Sequence, residues 1–231
     1  MTNLNKHFYQ AIVFDLDGTL LDSWPCLLNT VRRVALTGER ALHIDALRLK
    51  LSEGIAPMFE LAVEQMGLGA AAARAAIAAM QQQYVRHELV YTRAYESVGN
   101  VLAYATSAGA RLAVCTNRDR ESTQSLLSLM GWSGYFSHVQ CWGDGLAAKP
   151  DPEPLLATLV QLNCPVQEAL FVGDSGVDAL CAKYAGVDFV VHSGGYHSDL
   201  EELQPAVLRY ERASQLQQWL QGRINAGTVE N

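Results

Sequence analysis

Short apolar runs recur along this sequence, and each stops abruptly at polar residues before a stretch with helical spacing. They are Ala11-Ile-Val-Phe14, Arg111-Leu-Ala-Val-Cys115, His138-Val-Gln-Cys141, Ala169-Leu-Phe-Val172 and Val187-Asp-Phe-Val-Val191. Runs this short and this apolar read as strands buried on both faces. Strands alternating with helices build a parallel sheet covered on both sides, so the expected fold is α/β, a doubly wound, Rossmann-like core. Ligands of such sheets sit outside the carboxyl ends of the strands, where strand order reverses.

The alternation is broken once. Ser23 and Pro25 stand at preferred cap and first-turn positions of a helix running to about Leu36, with Gly38 as its stop. Helices over 43–51, 57–66 and 70–90 follow, separated by Gly54 and by Gly67-Leu-Gly69, and no strand is expected before Tyr95. The alanine-rich start of the third favours helix by propensity alone. Such a block reads as an insertion, dividing the chain into a core of residues 1–21 and 96–231 and an all-helical cap of residues 22–95. The remaining helices are expected over 98–107, 119–130, 152–162, 177–185 and 213–221.

The polar residues at the strand ends carry the chemistry. Asp15 and Asp17 lie two apart, so on an extended chain they share a face, and Gly18 lets the backbone turn away from them. Two adjacent buried carboxylates need a cation or a shared proton. Thr116 and Asn117 follow the next strand and precede a helix, a place suited to phosphate oxygens or simply to capping. Lys149 opens Lys-Pro-Asp-Pro-Glu-Pro154, where prolines fix the chain beside it. Gly173-Asp174-Ser175-Gly-Val-Asp178 adds two more carboxylates. Asp174 is at the strand end, and Asp178 is one helical turn on, either behind the site or merely a first-turn acid. Carboxylates at Asp15, Asp17 and Asp174 suit Mg2+ better than zinc, and no His/Cys cluster argues otherwise.

Taken together, the string Asp15-Leu-Asp-Gly-Thr-Leu-Leu-Asp-Ser23, Thr116, Lys149 and Asp174 resembles the four motifs of the haloacid dehalogenase-like hydrolases, in their phosphoglycolate phosphatase-like branch. The resemblance spans nearly the whole chain. It implies Asp15 as nucleophile and Asp17 as acid/base. Thr116, Asn117 and Lys149 would hold phosphate, and Asp174 would hold metal. Its implied activity is Mg2+-dependent hydrolysis of a small phosphorylated metabolite, phosphoglycolate-like, sugar phosphate or nucleotide, through an aspartyl-phosphate. A sugar phosphomutase using the same residues is the alternative, and Thr19 leans against it. An idle binding protein on the same fold is a further one. Dehalogenase and phosphonate hydrolase readings leave Asp17 without a use. The chain departs from its relatives at Glu96-Ser97 (often Pro-Gly), Arg118 (often Lys) and Cys181 (usually Ala). Specificity is expected in the cap, at Ser52, Glu53 and Gly54, where a glycine between two helices would dip towards the site.

A formal charge of −7 argues against a general nucleic-acid binder, which would present a basic face. Met1 to Gln10 is polar and too short for a signal peptide, and the longest apolar window, 68–80, contains Arg74 and reads as helix, not as a membrane span. Five scattered cysteines suggest reduced thiols and a cytoplasmic protein, with monomer and dimer both compatible.

Overall fold

The computed structural model describes residues 8–35, 42–197, 201 and 203–224, with the side chain of Ser52 excepted. Gly38, expected to stop the first helix, and Leu36 lie outside the described residues.

The chain enters through β1 (Ala11–Phe14), every residue of which is buried, and turns into the two-residue β2 (Leu21–Asp22). Four helices follow: α1 (Trp24–Ala35), α2 (Ile44–Lys50), α3 (Ile55–Met66) and α4 (Ala70–Tyr91), with a 3-10 turn at Leu51–Glu53. The two-residue β3 (Arg93–Ala94) returns the chain and pairs antiparallel with β2, Leu21 against Ala94 and Asp22 against Arg93. Neither strand was expected, because a two-residue ladder has no periodicity to read. Then α5 (Val98–Ser107), β4 (Arg111–Asp119), α6 (Arg120–Leu129), β5 (Phe136–Trp142), α7 (Glu153–Gln161), β6 (Ala169–Gly173), α8 (Gly176–Ala185) and β7 (Asp188–His192) alternate. The short edge strand β8 (Leu208–Tyr210) and α9 (Ala213–Leu220) close the fold.

The large sheet is parallel throughout, in the order β5-β4-β1-β6-β7-β8. Counted along the chain this is the 3-2-1-4-5-6 order of a dinucleotide-binding-type sheet, and the reversal falls between β1 and β6. Period-two alternation divides the strand residues between two cores. Ile12, Phe14, Val114 and Val172 face α5, α6 and α9, while Val13, Cys115, Phe171 and Val191 face α7 and α8. Each Leu or Phe fully buried this way contributes about 1.5–3 kcal/mol.

The four helices of the block pack on one another around Leu27, Leu47, Phe59 and Met80, apart from the sheet. On α4 only Ala76, Met80, Tyr84 and Glu88 are buried, a stripe of spacing four along one face. Its last member is a carboxylate, and a buried carboxylate requires a partner. Among the described residues no helix is long and apolar enough to cross a membrane.

Candidate active site

At the strand-order reversal, β1 delivers Asp15 and β6 delivers Asp174, both buried. Lys149, from the loop ahead of α7, places its Nζ 2.6 Å from Asp15 Oδ1 and 2.6 Å from Asp178 Oδ1. The Phe171 ring lies under the same ammonium at 5.4 Å. Asn117 holds the lysine's backbone from both sides. Its Nδ2 donates to Lys149 O at 3.0 Å, and its Oδ1 accepts from Lys149 N at 3.0 Å. One donor and one acceptor of the Asn117 amide thereby fix Lys149, and the second Nδ2 hydrogen is left over.

Asp178 is held by the start of α8. Ser175 N donates to Asp178 Oδ2 at 3.2 Å and Asp178 N donates back to Ser175 Oγ, a capping box; Ser175 Oγ adds a bond of 2.6 Å to the same Oδ2, and the other carboxylate oxygen reaches Lys149. Asp15, Asp174 and Asp178 offer oxygens all within 4.8 Å of one another, the group among the described residues that could hold a metal ion. Asp178 therefore stands beside Asp15 and Asp174, not behind them.

Asp174 is fixed through both oxygens. Thr19 Oγ1 donates to Oδ1 at 3.0 Å and Tyr196 N donates to Oδ2 at 2.6 Å. The turns that bring these donors in leave no room for side chains. A Cβ on Gly18 (φ +87°) would meet Asp174 Oδ2 at 2.2 Å, and one on Gly195 would meet its Cβ at 2.3 Å. His192 Nδ1 lies 2.6 Å from Gly18 O and holds the first turn in place.

Burial pushes the Asp15 carboxyl up to about 7, with Lys149 drawing it back and Asp178 adding to the rise. Asp174 is held well above the usual carboxylate range, by burial first and then by the negative charges of Asp178 and Asp15. Burial works against the charge of Lys149, but Asp15 and Asp178 outweigh it and keep the ammonium protonated. Three carboxylates around one ammonium leave the cluster short of positive charge. The donors are all hard oxygens, so the site fits a divalent cation of the Mg2+ kind.

Asp17 lies outside this group. Both its oxygens accept from Arg118, Nε to Oδ2 at 2.8 Å and Nη2 to Oδ1 at 2.6 Å. Burial opposes its charge, yet the fork of Arg118 holds its carboxyl below the usual range. The remaining face of the guanidinium reaches the block: Nη1 donates to Glu88 Oε2 at 3.0 Å and to Ser122 Oγ at 2.6 Å. Ser122 Oγ in turn donates to Glu88 Oε2 at 2.6 Å, and the Tyr84 ring covers Arg118 at 5.4 Å. This clasp is the partner that the α4 stripe required.

Thr116, expected just past the strand, lies within β4 and lines the pocket from there, with its Oγ1 accepting from Arg118 N at 3.2 Å. Gly54 and Ile55 roof it from the start of α3, and Gly54 adopts φ 126°, which a glycine reaches without strain. Glu53 is exposed and paired with Lys50 at 2.7 Å. The side chain of Ser52 lies outside the described residues; its backbone belongs to the 3-10 turn.

Sequence reasoning missed Glu88, Tyr196 and the engagement of Arg118. The buried stripe on α4 is the signal that points to Glu88. Tyr196, whose hydroxyl accepts from Ser23 N at 2.8 Å and donates to Asp22 Oδ1 at 3.0 Å, has no local pattern to betray it.

The sequence profile described as haloacid dehalogenase-like hydrolase matches residues 12–192. A phosphoglycolate phosphatase of Rhodospirillum rubrum is 33% identical over 91% of this chain and 90% of its own. One from Psychrobacter arcticus is 33% identical over 85% of this chain and 89% of its own. Among solved structures, a predicted phosphoglycolate phosphatase from Haemophilus somnus superposes with a TM-score of 0.82 at 24% identity, over 90% of this chain and 96% of that one. A HAD-superfamily hydrolase of Geobacter sulfurreducens gives 0.73 at 25% identity, over 95% and 100%.

Proposed function

Because the chain belongs to the haloacid dehalogenase-like hydrolase family, a phosphoric monoester hydrolase of its phosphoglycolate phosphatase-like branch, we propose that it is a Mg2+-dependent phosphatase acting on a small monoester through an aspartyl-phosphate on Asp15. The observation that supports this most is Lys149 Nζ standing 2.6 Å from both Asp15 and Asp178, in one small pocket with Thr116 and Asp174. The relatives' name favours hydrolysis over the phosphomutase alternative. The esters to try first are phosphoglycolate, sugar phosphates and nucleotides.

Asp15, Asp174 and Asp178 would hold Mg2+, which when bound offsets negative charge on the transferring phosphoryl group. A carboxylate oxygen of Asp15 attacks phosphorus, and the bond from phosphorus to the leaving oxygen breaks. Asp17 gives that oxygen its proton, then takes one from the water that hydrolyses the aspartyl-phosphate, releasing phosphate and free Asp15. Lys149 keeps Asp15 oriented and neutralises charge beside it, while Thr116 and nearby amides hold the phosphoryl oxygens. Both oxygens of Asp17 are taken by Arg118, which keeps the carboxyl ionised in the structure, so acting as the acid requires Asp17 first to turn from the guanidinium and take up a proton from water.

Residues 22–95 act as a cap over the core of residues 1–21 and 96–231, with Gly54 and Ile55 excluding bulk water from the pocket. The five free, buried cysteines accord with a cytoplasmic protein. The test is phosphate release from p-nitrophenyl phosphate and the esters above, with Mg2+ and then with excess chelator. Turnover should require Mg2+ and vanish in Asp15→Asn. Full activity in chelator, or in an Asp15→Asn preparation free of deamidated protein, would sink the mechanism.

A further inference from the structure

The catalytic pocket, about 30 Å3 and lined by Asp15, Thr116, Lys149 and Asp174, has room for little beyond a phosphoryl group. Past Gly54, Ile55 and Asn117, which line both spaces, it continues into a cleft of about 510 Å3 between α3, α4 and the end of β5. A cleft of that size falls within the range that holds a whole organic ligand, about 300–1,000 Å3. The part of the ester that leaves with its oxygen must lie there.

Two properties of the cleft restrict what that part can be. Its walls are apolar and aromatic. Ile55, Pro57 and Val85 line it from α3 and α4, and Trp142 from the end of β5. Trp142 is 59% exposed and Val85 67%, so both leave broad apolar surface open to a ligand. Its charged groups are also all of one sign. Glu53, Glu60 and Asp119 line it, with no Lys, Arg or His among the described lining residues. Lys50 sits at the rim, already paired with Glu53. The two cations of the adjoining pocket are each committed to two carboxylates, Lys149 to Asp15 and Asp178, Arg118 to Asp17 and Glu88.

On the reading that this site is a phosphatase, we infer that the natural ester is that of a neutral or cationic alcohol bearing an aromatic or apolar ring, not of an alcohol carrying a carboxylate. A carboxylated leaving group such as glycolate finds no free cation in the cleft and fills only a corner of it. A ring finds Trp142 to stack on and Ile55 and Val85 to pack against, contacts that desolvation makes favourable. The carboxylates of Glu60 and Asp119 repel a negative group and attract a positive one.

Two alkyl esters of different charge and size test this: phosphoglycolate and 2-phenylethyl phosphate, with Mg2+. The expected result is a kcat/KM at least about tenfold higher for the phenylethyl ester, which corresponds to about 1.4 kcal/mol of discrimination. Trp142→Ala should lower the phenylethyl value by about three- to tenfold while moving phosphoglycolate much less. Glu60→Lys should raise phosphoglycolate about fivefold relative to the phenylethyl ester. Phosphoglycolate as the better substrate, or a ratio that neither substitution moves, overturns the inference and leaves the phosphatase reading standing. Failure to hydrolyse any ester, p-nitrophenyl phosphate included, overturns both.

Discussion

Replacing Arg118 by glutamine tests the clasp between the core and α4. The Arg118 side chain is 0% exposed, Glu88 6% and Asp17 15%. Glutamine keeps a donor for one oxygen but removes the charge, so two carboxylates remain in a largely buried site with no cation between them. Breaking a buried pair in this way costs about 3–5 kcal/mol. Glu88→Gln, by contrast, leaves Arg118 balanced by Asp17 and keeps an oxygen that accepts from Arg118 and Ser122, so its cost should be about 1 kcal/mol. The sign with pH follows from Asp17, whose folded carboxyl Arg118 holds below its ordinary range. Such a group contributes stability above its unfolded value, about 3.9, and loses it as pH falls through the folded one. The gap between wild type and Arg118→Gln should therefore be full at neutral pH and shrink below about pH 4. Urea unfolding of metal-free protein, followed by circular dichroism at both pH values, measures it. Adding Glu88→Gln to Arg118→Gln removes one stranded charge and should recover part of the loss. A gap under about 1 kcal/mol at neutral pH, or one that does not change with pH, refutes the reasoning.

Further consequences can be measured separately. Gly18→Ala strains a backbone at φ +87° and drives a methyl to 2.2 Å from Asp174, so it should abolish most turnover while costing about 1–3 kcal/mol in stability; wild-type kinetics in this variant would remove Asp174 from the site. Ser97 adopts φ 65° at the cap of α5, and Ser97→Gly should stabilise the protein by up to about 1 kcal/mol by relieving it; an unchanged or lowered melting temperature contradicts that. In the metal-free protein the raised Asp15 carboxyl, near 7, binds a proton that the unfolded chain has lost by then. Its contribution thus weakens as pH rises from about 4 to 7, whereas the stabilisation gained from added Mg2+ should grow over the same span. A Mg2+ increment in melting temperature that is flat across that range would argue against Asp15 as a ligand. Asp17→Asn should lower the rate by about 10²–10⁴ with Mg2+ binding retained, and an unaltered rate would end its acid/base assignment.

Five strands of the large sheet were legible from sequence because each is a short, largely apolar run that stops abruptly at polar residues or glycine, too short for a helix. Helix ends came within a residue or two for the same reason: Gly67 and Gly186 stop α3 and α8 in the left-handed conformation. What stayed hidden depends on partners far along the chain. β8 is a three-residue edge with an exposed Arg209, too short to show alternation. Arg118 reads as a substituted lysine until it is seen gripping Asp17, 101 positions away, and Glu88, 30 away. Asp178 reads as a first-turn acid until Lys149, 29 positions back, is found on its other oxygen. Local pattern locates strand ends; it does not say which loop will supply a charge to meet them.

The pairing of β2 with β3 has a consequence for how such a chain can change. Leu21 is paired with Ala94 across the two strands, and Tyr95 N donates to Leu20 O at 3.1 Å, so everything between them leaves and returns at a single place. To the sheet, the helical block is a loop whose mouth is already closed. The entropy of holding such a mouth shut grows only with the logarithm of the length beyond it, about 0.6 kcal/mol per doubling. Shortening, lengthening or exchanging the block therefore weighs little on the sheet or on the residues that grip phosphate. Arg118 is the core charge that any replacement would have to neutralise. Within that constraint, the part of the molecule that meets the leaving group can drift while the part that meets phosphate stays fixed.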